Sequence, residues 1–161
     1  MWQGPQTIKD ALRRNVEAFP EREALYAVNY RSGQWERLTW CQVQKISDHL
    51  ARGLADMGVT KGQKVAFMNA SYSENVCSYL AARKLGAIFV PVNVRLVARE
   101  VEHIVLNSEA DHLVFGQEFH VLADQIRSKV PRLRSFICLE RPGASLPPWA
   151  IPYGSLLENT G

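Results

Sequence analysis

Cysteine is scarce and scattered in this sequence. Only Cys41, Cys77 and Cys138 occur, odd in number and with no CxxC pair. That excludes a zinc ribbon and a disulfide framework, and it fits a reducing cytoplasm. Long apolar runs are also missing. The longest, "GAIFVPV" from Gly86, is far too short to span a bilayer, so no transmembrane segment is expected. The opening "MWQGPQTIKD" lacks a basic stretch followed by an apolar core, so no signal peptide is expected either. Charge of one sign is not concentrated. The net charge is +3 with acids and bases interleaved, which gives no footprint for nucleic acid or an anionic membrane. No internal repeat or low-complexity tract is present.

Catalytic fingerprints are absent too. No GxGxxG follows a strand and no GxxxxGK[ST] occurs, so both standard nucleotide loops are missing. No HExxH occurs, and His49, His103, His112 and His120 lack metal-ligand spacing. No GxSxG elbow supplies a hydrolase nucleophile.

What is present is the composition of an ordinary globular protein. Of the 161 residues, 47% are hydrophobic and 22% charged. A chain of this length typically buries roughly 70% of its unfolded surface. Ile8, Leu12, Val16 and Phe19 recur at helical spacing, with Thr7 and Asp10 as a capping pair and Pro20 as the stop. "EALYAVNYRSGQWERLTW" reads as two short strands around the turn Arg31-Ser32-Gly33-Gln34. Thr39 then N-caps a long helix whose stripe is Val43, Ile46, Leu50, Leu54 and Met57, ended by Gly58.

From there the hydrophobic period alternates. "KVAFMN" is a strand. Tyr72 to Leu85 is a helix with Val76 and Leu80 facing in and Gly86 as its stop. "AIFVPV" is a strand in which Pro91 suits an end or a bulge. "AREVEHIVLNSE" is a helix with Val101, Ile104 and Val105 inside. "HLVFG", "EFHVLADQIRSKV" and "SFICLE" add a strand, a helix and a strand. Four nearly continuous apolar strands separated by amphipathic helices predict a parallel sheet, buried on both faces and layered with helices. The fold class is therefore α/β over residues 1–139, preceded by a helix and a β-hairpin. Residues 140–161, with "RPGASLPPWAIPYG", read as a linker that cannot continue the sheet, followed by the start of a helix.

In open α/β sheets, ligands bind beyond the carboxyl ends of the strands. In "NASYSE", Asn69, Ser71 and Ser73 stand at a helix start, where free N–H groups would hold an anion. A capped helix with no ligand is the simpler reading. Cys77 lies within a helix and reads as a small buried hydrophobe. Glu100 and Glu102 sit two apart on a helix and do not share a face. Trp35 and Trp40 flank the hairpin end and are expected to pack. Pattern alone therefore ends at an α/β domain without a self-contained active site.

The order of the pieces adds more. "LTWCQVQK" opens a long helix. "GVTKGQKVAF" leads into a strand, a helix ends in "AARKLGAIFVPVNVRL", and "EVEHIVLNSEADHLVFG" follows. From Leu38 to Gly116 this resembles the acyl-adenylate-forming superfamily, which includes acyl-CoA synthetases. The resemblance implies the first part of the large amino-terminal domain of an ATP-dependent carboxylic acid–CoA ligase. In that family an acid and ATP form an acyl-adenylate with Mg²⁺, and coenzyme A then displaces AMP. The partner implied is the carboxylic acid substrate.

The family's TSGTTGxPKG-type phosphate loop, its adenine- and ribose-binding residues and its catalytic lysine are absent from this sequence. No catalytic residue and no metal ligand carries over, and the chain alone is expected to be inactive. ATP, Mg²⁺ and CoA are thus cofactors of the parent ligase, not groups this chain is expected to hold fully. The resemblance places Asn93, Val94 and Arg95 in a loop near CoA, where Arg95 would meet a phosphate. The simpler reading is that Asn93 closes a turn and Arg95 is solvated. Two other readings stand beside the ligase. One is a naturally short interaction or regulatory module, self-associating through the exposed subdomain face. The other is an unrelated nucleotide-binding α/β domain.

Overall fold

The structure, a computed structural model, describes Gly4 and residues 7–158. The readings that fall on the remaining positions at either end lie outside the described residues. Helix α1 spans Ile8–Ala18. Strands β1 (Glu23–Val28) and β2 (Trp35–Thr39) pair antiparallel. Then come α2 (Trp40–Asp56), β3 (Lys64–Met68), α3 (Ser73–Lys84), β4 (Ile88–Pro91), α4 (Ala98–Ser108), β5 (His112–Gly116), α5 (His120–Arg127), β6 (Ser135–Leu139), β7 (Ile151–Pro152) and α6 (Ser155–Glu158). A 3₁₀ turn, Gln117–Phe119, precedes α5. Strands β3 to β7 form one sheet in the order β4-β3-β5-β6-β7, and every pairing is parallel.

The local signals explain the element ends. Thr39 Oγ1 accepts from the Gln42 N–H at 3.3 Å, and Gln42 Oε1 accepts from the Thr39 N–H at 2.8 Å. This reciprocal box stops α2 from fraying at its start. At the end of α3, the Ala87 N–H reaches the Ala82 carbonyl at 2.9 Å and the Gly86 N–H reaches that of Arg83 at 3.1 Å. Gly86 sits at φ 71°, the left-handed conformation that this closure requires and that a Cβ disfavours.

Alternation along the central strands sends side chains to two cores. Val65, Phe67, Val114, Ile137 and Leu139 meet α2, α3 and α6 on one face. Ala66, Met68, Leu113, Phe115 and Cys138 meet α4 and α5 on the other. The molecule is thus a helix–sheet–helix sandwich, with the hairpin packed at one end.

Three expectations fail. β4 is not buried on both faces, because it is the edge strand and Ile88 is 43% exposed. Pro91 closes it, where a missing N–H donor costs nothing. Val76 faces outward and is 40% exposed. The inner face of α3 is instead Cys77, Ser78, Ala81 and Ala82, small residues that let α3 lie close to its neighbours. The third correction concerns residues 140–158, which are not a free linker. Ile151 and Pro152 extend the sheet beside Ile137 and Cys138, and Tyr153 and Leu156 are buried in the first core. Pro147 and Pro148 lie in the approach, and Pro152 in the strand itself is tolerated because β7 is the edge of the sheet.

Candidate functional site

The carboxyl edge of the sheet gathers five strand ends. They lead into Asn69, Asn93, Gln117–Glu118, Glu140–Arg141 and Tyr153–Gly154. The tip of the hairpin, Asn29–Arg31, is folded down onto this edge. Two carboxylates hold it there. Glu74, in the first turn of α3, is 7% exposed and accepts from the Tyr30 N–H at 2.9 Å and from the Arg31 N–H at 3.3 Å. Ser73 Oγ donates to the same carboxylate at 3.2 Å. Glu140, just past β6, accepts from the N–H groups of Tyr153 at 2.8 Å and Gly154 at 3.1 Å, and Arg31 Nη2 lies 3.3 Å from it. Buried carboxylates are tolerated only with donors of this kind around them.

Two tyrosines complete the closed side. Tyr153 Oη and Ser78 Oγ are 2.7 Å apart. Burial holds the Tyr153 phenol well above the usual tyrosine range, although the Ser78 hydrogen bond acts the other way. Tyr30 Oη donates to the Glu118 carboxylate, and the Arg141 guanidinium lies 5.2 Å from the centre of the Tyr30 ring. Burial, and after it the Glu118 carboxylate, raises the Tyr30 phenol above its ordinary value. Tyr30, Gln117, Glu118, His120 and Arg141 line an open cleft of about 420 Å³. Behind the hairpin lies a smaller pocket of about 270 Å³, whose walls include Arg31, Glu36, Glu74, Cys77 and Tyr153.

Asn93, Val94 and Arg95 lie at the opposite end of the same edge, after β4. Asn93 Oδ1 accepts from the Arg95 N–H at 3.0 Å, and the Leu96 N–H reaches the Asn93 carbonyl at 3.3 Å. This is an Asx turn. Arg95 is exposed and makes no ion pair among the described residues. Directly after this loop, Leu96, Val97, Arg99, Glu100, His103 and Ile104 line a cleft of about 620 Å³.

The other candidates separate. Ser71 and Ser73 do not cap α3, since Tyr72 is the N-cap residue and offers no side-chain bond. Asn69 is 9% exposed with both amide atoms unpaired. Cys77, in the wall of the smaller pocket behind the hairpin, is 1% exposed, and burial pushes its thiol up to about 12, so it is no nucleophile at neutral pH. Glu100 accepts from the Val97 N–H at 3.1 Å, while Glu102 pairs with Lys129. Trp35 is 64% exposed and stacks on Tyr26 at 4.9 Å rather than entering the core, whereas Trp40 packs partly buried. His112 Nδ1 and Ser135 Oγ are 2.7 Å apart, but they lie at the amino edge and His112 is 1% exposed. That pair is closed to any substrate. Among the described residues, no group of three or more His, Cys, Asp or Glu side chains is placed to hold a metal ion, and no helix is long and apolar enough to cross a membrane.

Sequence reasoning missed Glu74, Glu140, Arg31 and Tyr153. Apart from Ser73 beside Glu74, their partners lie 13 residues away or more, beyond any local pattern. A weak signal did exist: Glu140 directly follows a strand end, and Glu74 opens a helix.

This parallel sheet, with an antiparallel hairpin seated on its carboxyl edge, is the architecture of the amino-terminal domain of acyl-CoA ligases. Residues 12–150 match the AMP-binding enzyme family, and the chain belongs to it. It is 32% identical over 124 residues to a medium/long-chain-fatty-acid–CoA/3-oxocholest-4-en-26-oate–CoA ligase of Mycobacterium marinum, covering 77% of this chain and 21% of that protein. It is 33% identical over 93 residues to the long-chain-fatty-acid–CoA ligase FadD13 of Mycobacterium tuberculosis, covering 58% of this chain and 18% of that protein. The crystal structure of the anthranilate CoA ligase AuaEII in complex with anthranoyl-AMP matches with a TM-score of 0.82 at 26% identity, over 92% of this chain and 27% of that one. A putative long-chain-fatty-acid CoA ligase from Rhodopseudomonas palustris matches with a TM-score of 0.81 at 27% identity, over 96% of this chain and 37% of that one. The chain thus spans about a fifth of the length of these curated relatives.

Proposed function

We propose that this chain is the amino-terminal α/β portion of an ATP-dependent carboxylic acid–CoA ligase of the adenylate-forming type. The observation that carries the reading is the family match over 12–150 together with the superposition on an acyl-AMP-bound ligase. In such a ligase a carboxylate oxygen attacks the α-phosphorus of ATP and pyrophosphate leaves. The thiol of CoA then attacks the acyl carbon and AMP leaves. The free state of all three cysteines fits a reducing cytoplasm as the compartment.

The described side chains do not fit the triphosphate or Mg²⁺. At the carboxyl edge, Glu74 and Glu140 are already engaged by backbone N–H groups and, at Glu140, by Arg31, and Glu118 is engaged by the Tyr30 hydroxyl. Phosphoryl chemistry needs cationic and metal-held charge stabilisation that these residues do not supply. That work belongs to other segments of the ligase. For CoA the fit is better. Arg95 is exposed and unpaired, its loop is fixed by the Asn93 turn, and a guanidinium suits a phosphate. We assign Asn93–Arg95 to the nucleotide end of CoA.

The test takes the ligase polypeptide that carries this sequence, purified from its source. It is expected to exchange labelled pyrophosphate into ATP when given a carboxylic acid, and to form a CoA thioester. A polypeptide that does neither across fatty and aromatic acids overturns the reading. The 161-residue chain alone is expected to show no acid-dependent exchange, and turnover by it would overturn the assignment of phosphate chemistry to other segments.

A further inference from the structure

Residues 140–150 need only connect β6 to β7, yet the chain just beyond β7 is held by a set of contacts that a connector does not require. Glu140 is 8% exposed and spends both oxygens on the main chain, accepting from the Tyr153 and Gly154 N–H groups. Arg31 approaches the same carboxylate from the hairpin at 3.3 Å. At Gly154 a Cβ would come within 2.7 Å of both Arg31 Nη2 and Glu140 Oε1, so a side chain there would displace the two charged groups from their present positions. One turn on, the backbone of Leu156 lies against α2, where a Cβ on Gly53 would meet the Leu156 carbonyl oxygen at 2.6 Å. Tyr153 anchors the same turn through Ser78 at 2.7 Å and the Glu74 carbonyl at 3.4 Å.

Packing alone does not call for this arrangement. A buried ion pair is often no more stable than apolar residues of the same volume, and glycine loses more backbone freedom on ordering than any other residue. What a carboxylate shared between two N–H groups and a guanidinium does supply is direction: it admits one geometry of the chain. The direction it sets lies at the carboxyl edge of the sheet, where ligands of open α/β folds bind.

We propose that Glu140, backed by Arg31, is a positioning residue of the adenylation half-reaction. It fixes Tyr153–Leu157 against the sheet and α2, and so holds the geometry of the carboxyl edge at which ligands of open α/β folds bind. The CoA loop at Asn93–Arg95 follows β4, at the other end of the strand order, and is untouched by it. This inference rests on the ligase reading above.

The experiment compares Glu140→Gln and Arg31→Gln in the ligase polypeptide. The first keeps shape but puts an amide where a carboxylate accepted two bonds. The second leaves both main-chain N–H bonds to Glu140 in place and removes only the ion pair, so it remains informative where Glu140→Gln fails to fold. For folded Glu140→Gln, kcat of acid-dependent ATP–pyrophosphate exchange is expected to fall about tenfold or more, as small misplacements near reacting groups do. KM for CoA should stay within about twofold, a split that simple loss of structure does not give. Arg31→Gln should lower the same kcat by a smaller factor and again spare KM for CoA. Exchange unchanged in both folded variants, or kcat and KM for CoA altered in parallel, overturns the positioning role. A parent polypeptide that shows no exchange overturns the ligase reading itself, and an active parent with active variants overturns only the role of Glu140.

Discussion

The two ends of the carboxyl edge are built on opposite plans. At the β6–β7 end, the hairpin closes over Glu74, Glu140 and Tyr153, and each of these buried polar groups is paired inside the protein. At the β4 end, Asn93 and Arg95 are exposed, and the guanidinium is left to solvent. The difference follows from burial. Glu74, Glu140 and Tyr153, removed from water, are stabilised by partners in the fold, whereas a group left in water keeps its capacity for a ligand. The closed end is therefore suited to holding geometry and the open end to binding.

Four substitutions or conditions separate the two plans. Tyr153→Ala strikes the closed end hardest. Truncating a fully buried aromatic costs about 3–5 kcal/mol, and denaturant unfolding of the 161-residue chain should show it as a large drop in midpoint. A loss under 1 kcal/mol would mean that the last turn is not held to the core. Glu74→Ala comes next. It leaves the Tyr30 and Arg31 N–H groups without their acceptor, at about 1–3 kcal/mol for each group left unpaired. Hydrogen exchange at those two amides should accelerate before that of β5, and unchanged protection would break the assignment of Glu74 as the hairpin's anchor.

A smaller effect comes from the amino edge, which is closed as well. Burial lowers the His112 pKa below the ordinary histidine value, with Arg134 acting the same way and Asp111 opposing. The unfolded chain therefore takes up the proton more readily than the folded one as pH drops from about 6.5, the model-peptide value, toward the lowered folded value. The stability His112 contributes is present above that range and is lost as pH falls through it. Thermal midpoints should decline across that window in the wild type and decline less in His112→Asn. Equal slopes would remove His112 from the acid response. Arg95→Ala, at the open end, should change stability by no more than about 0.5 kcal/mol, as solvent-facing substitutions do. In the ligase polypeptide it should raise KM for CoA several-fold while leaving pyrophosphate exchange intact. An unchanged KM would break the contrast between a holding end and a binding end.

How much of this was legible in the sequence depended on the range of the interaction. Thr39 and Gly86 announced helix ends because capping is satisfied within a few residues. The apolar runs at 65–68, 113–115 and 136–139 announced buried strands for the same local reason. Val76 misled, because the helix period marks an apolar side but not which neighbour covers it. The small residues Cys77, Ser78, Ala81 and Ala82 took the inner face, where closeness to the neighbouring elements mattered more than hydrophobicity. Ile151–Pro152 was hidden by its proline-rich approach, since two residues carry no period at all. The Asn93–Arg95 loop was placed at a strand end by the glycine stop and by Pro91. The turn closed by Asn93 and the solvated Arg95 of the simpler reading are what the structure shows.

The sequence by itself determined the elements from α1 to β6, the helix ends at Thr7, Thr39 and Gly86, the parallel character of the sheet and the family. These rest on patterns complete within a helical turn, a strand or a loop. The tertiary structure alone decided that β4 is an edge, that residues 151–157 belong to the sheet and core, and that Glu74, Glu140 and Arg31 meet at one point. Those facts depend on groups tens of residues apart being removed from water together. Only the folded chain states which donor a buried carboxylate will find.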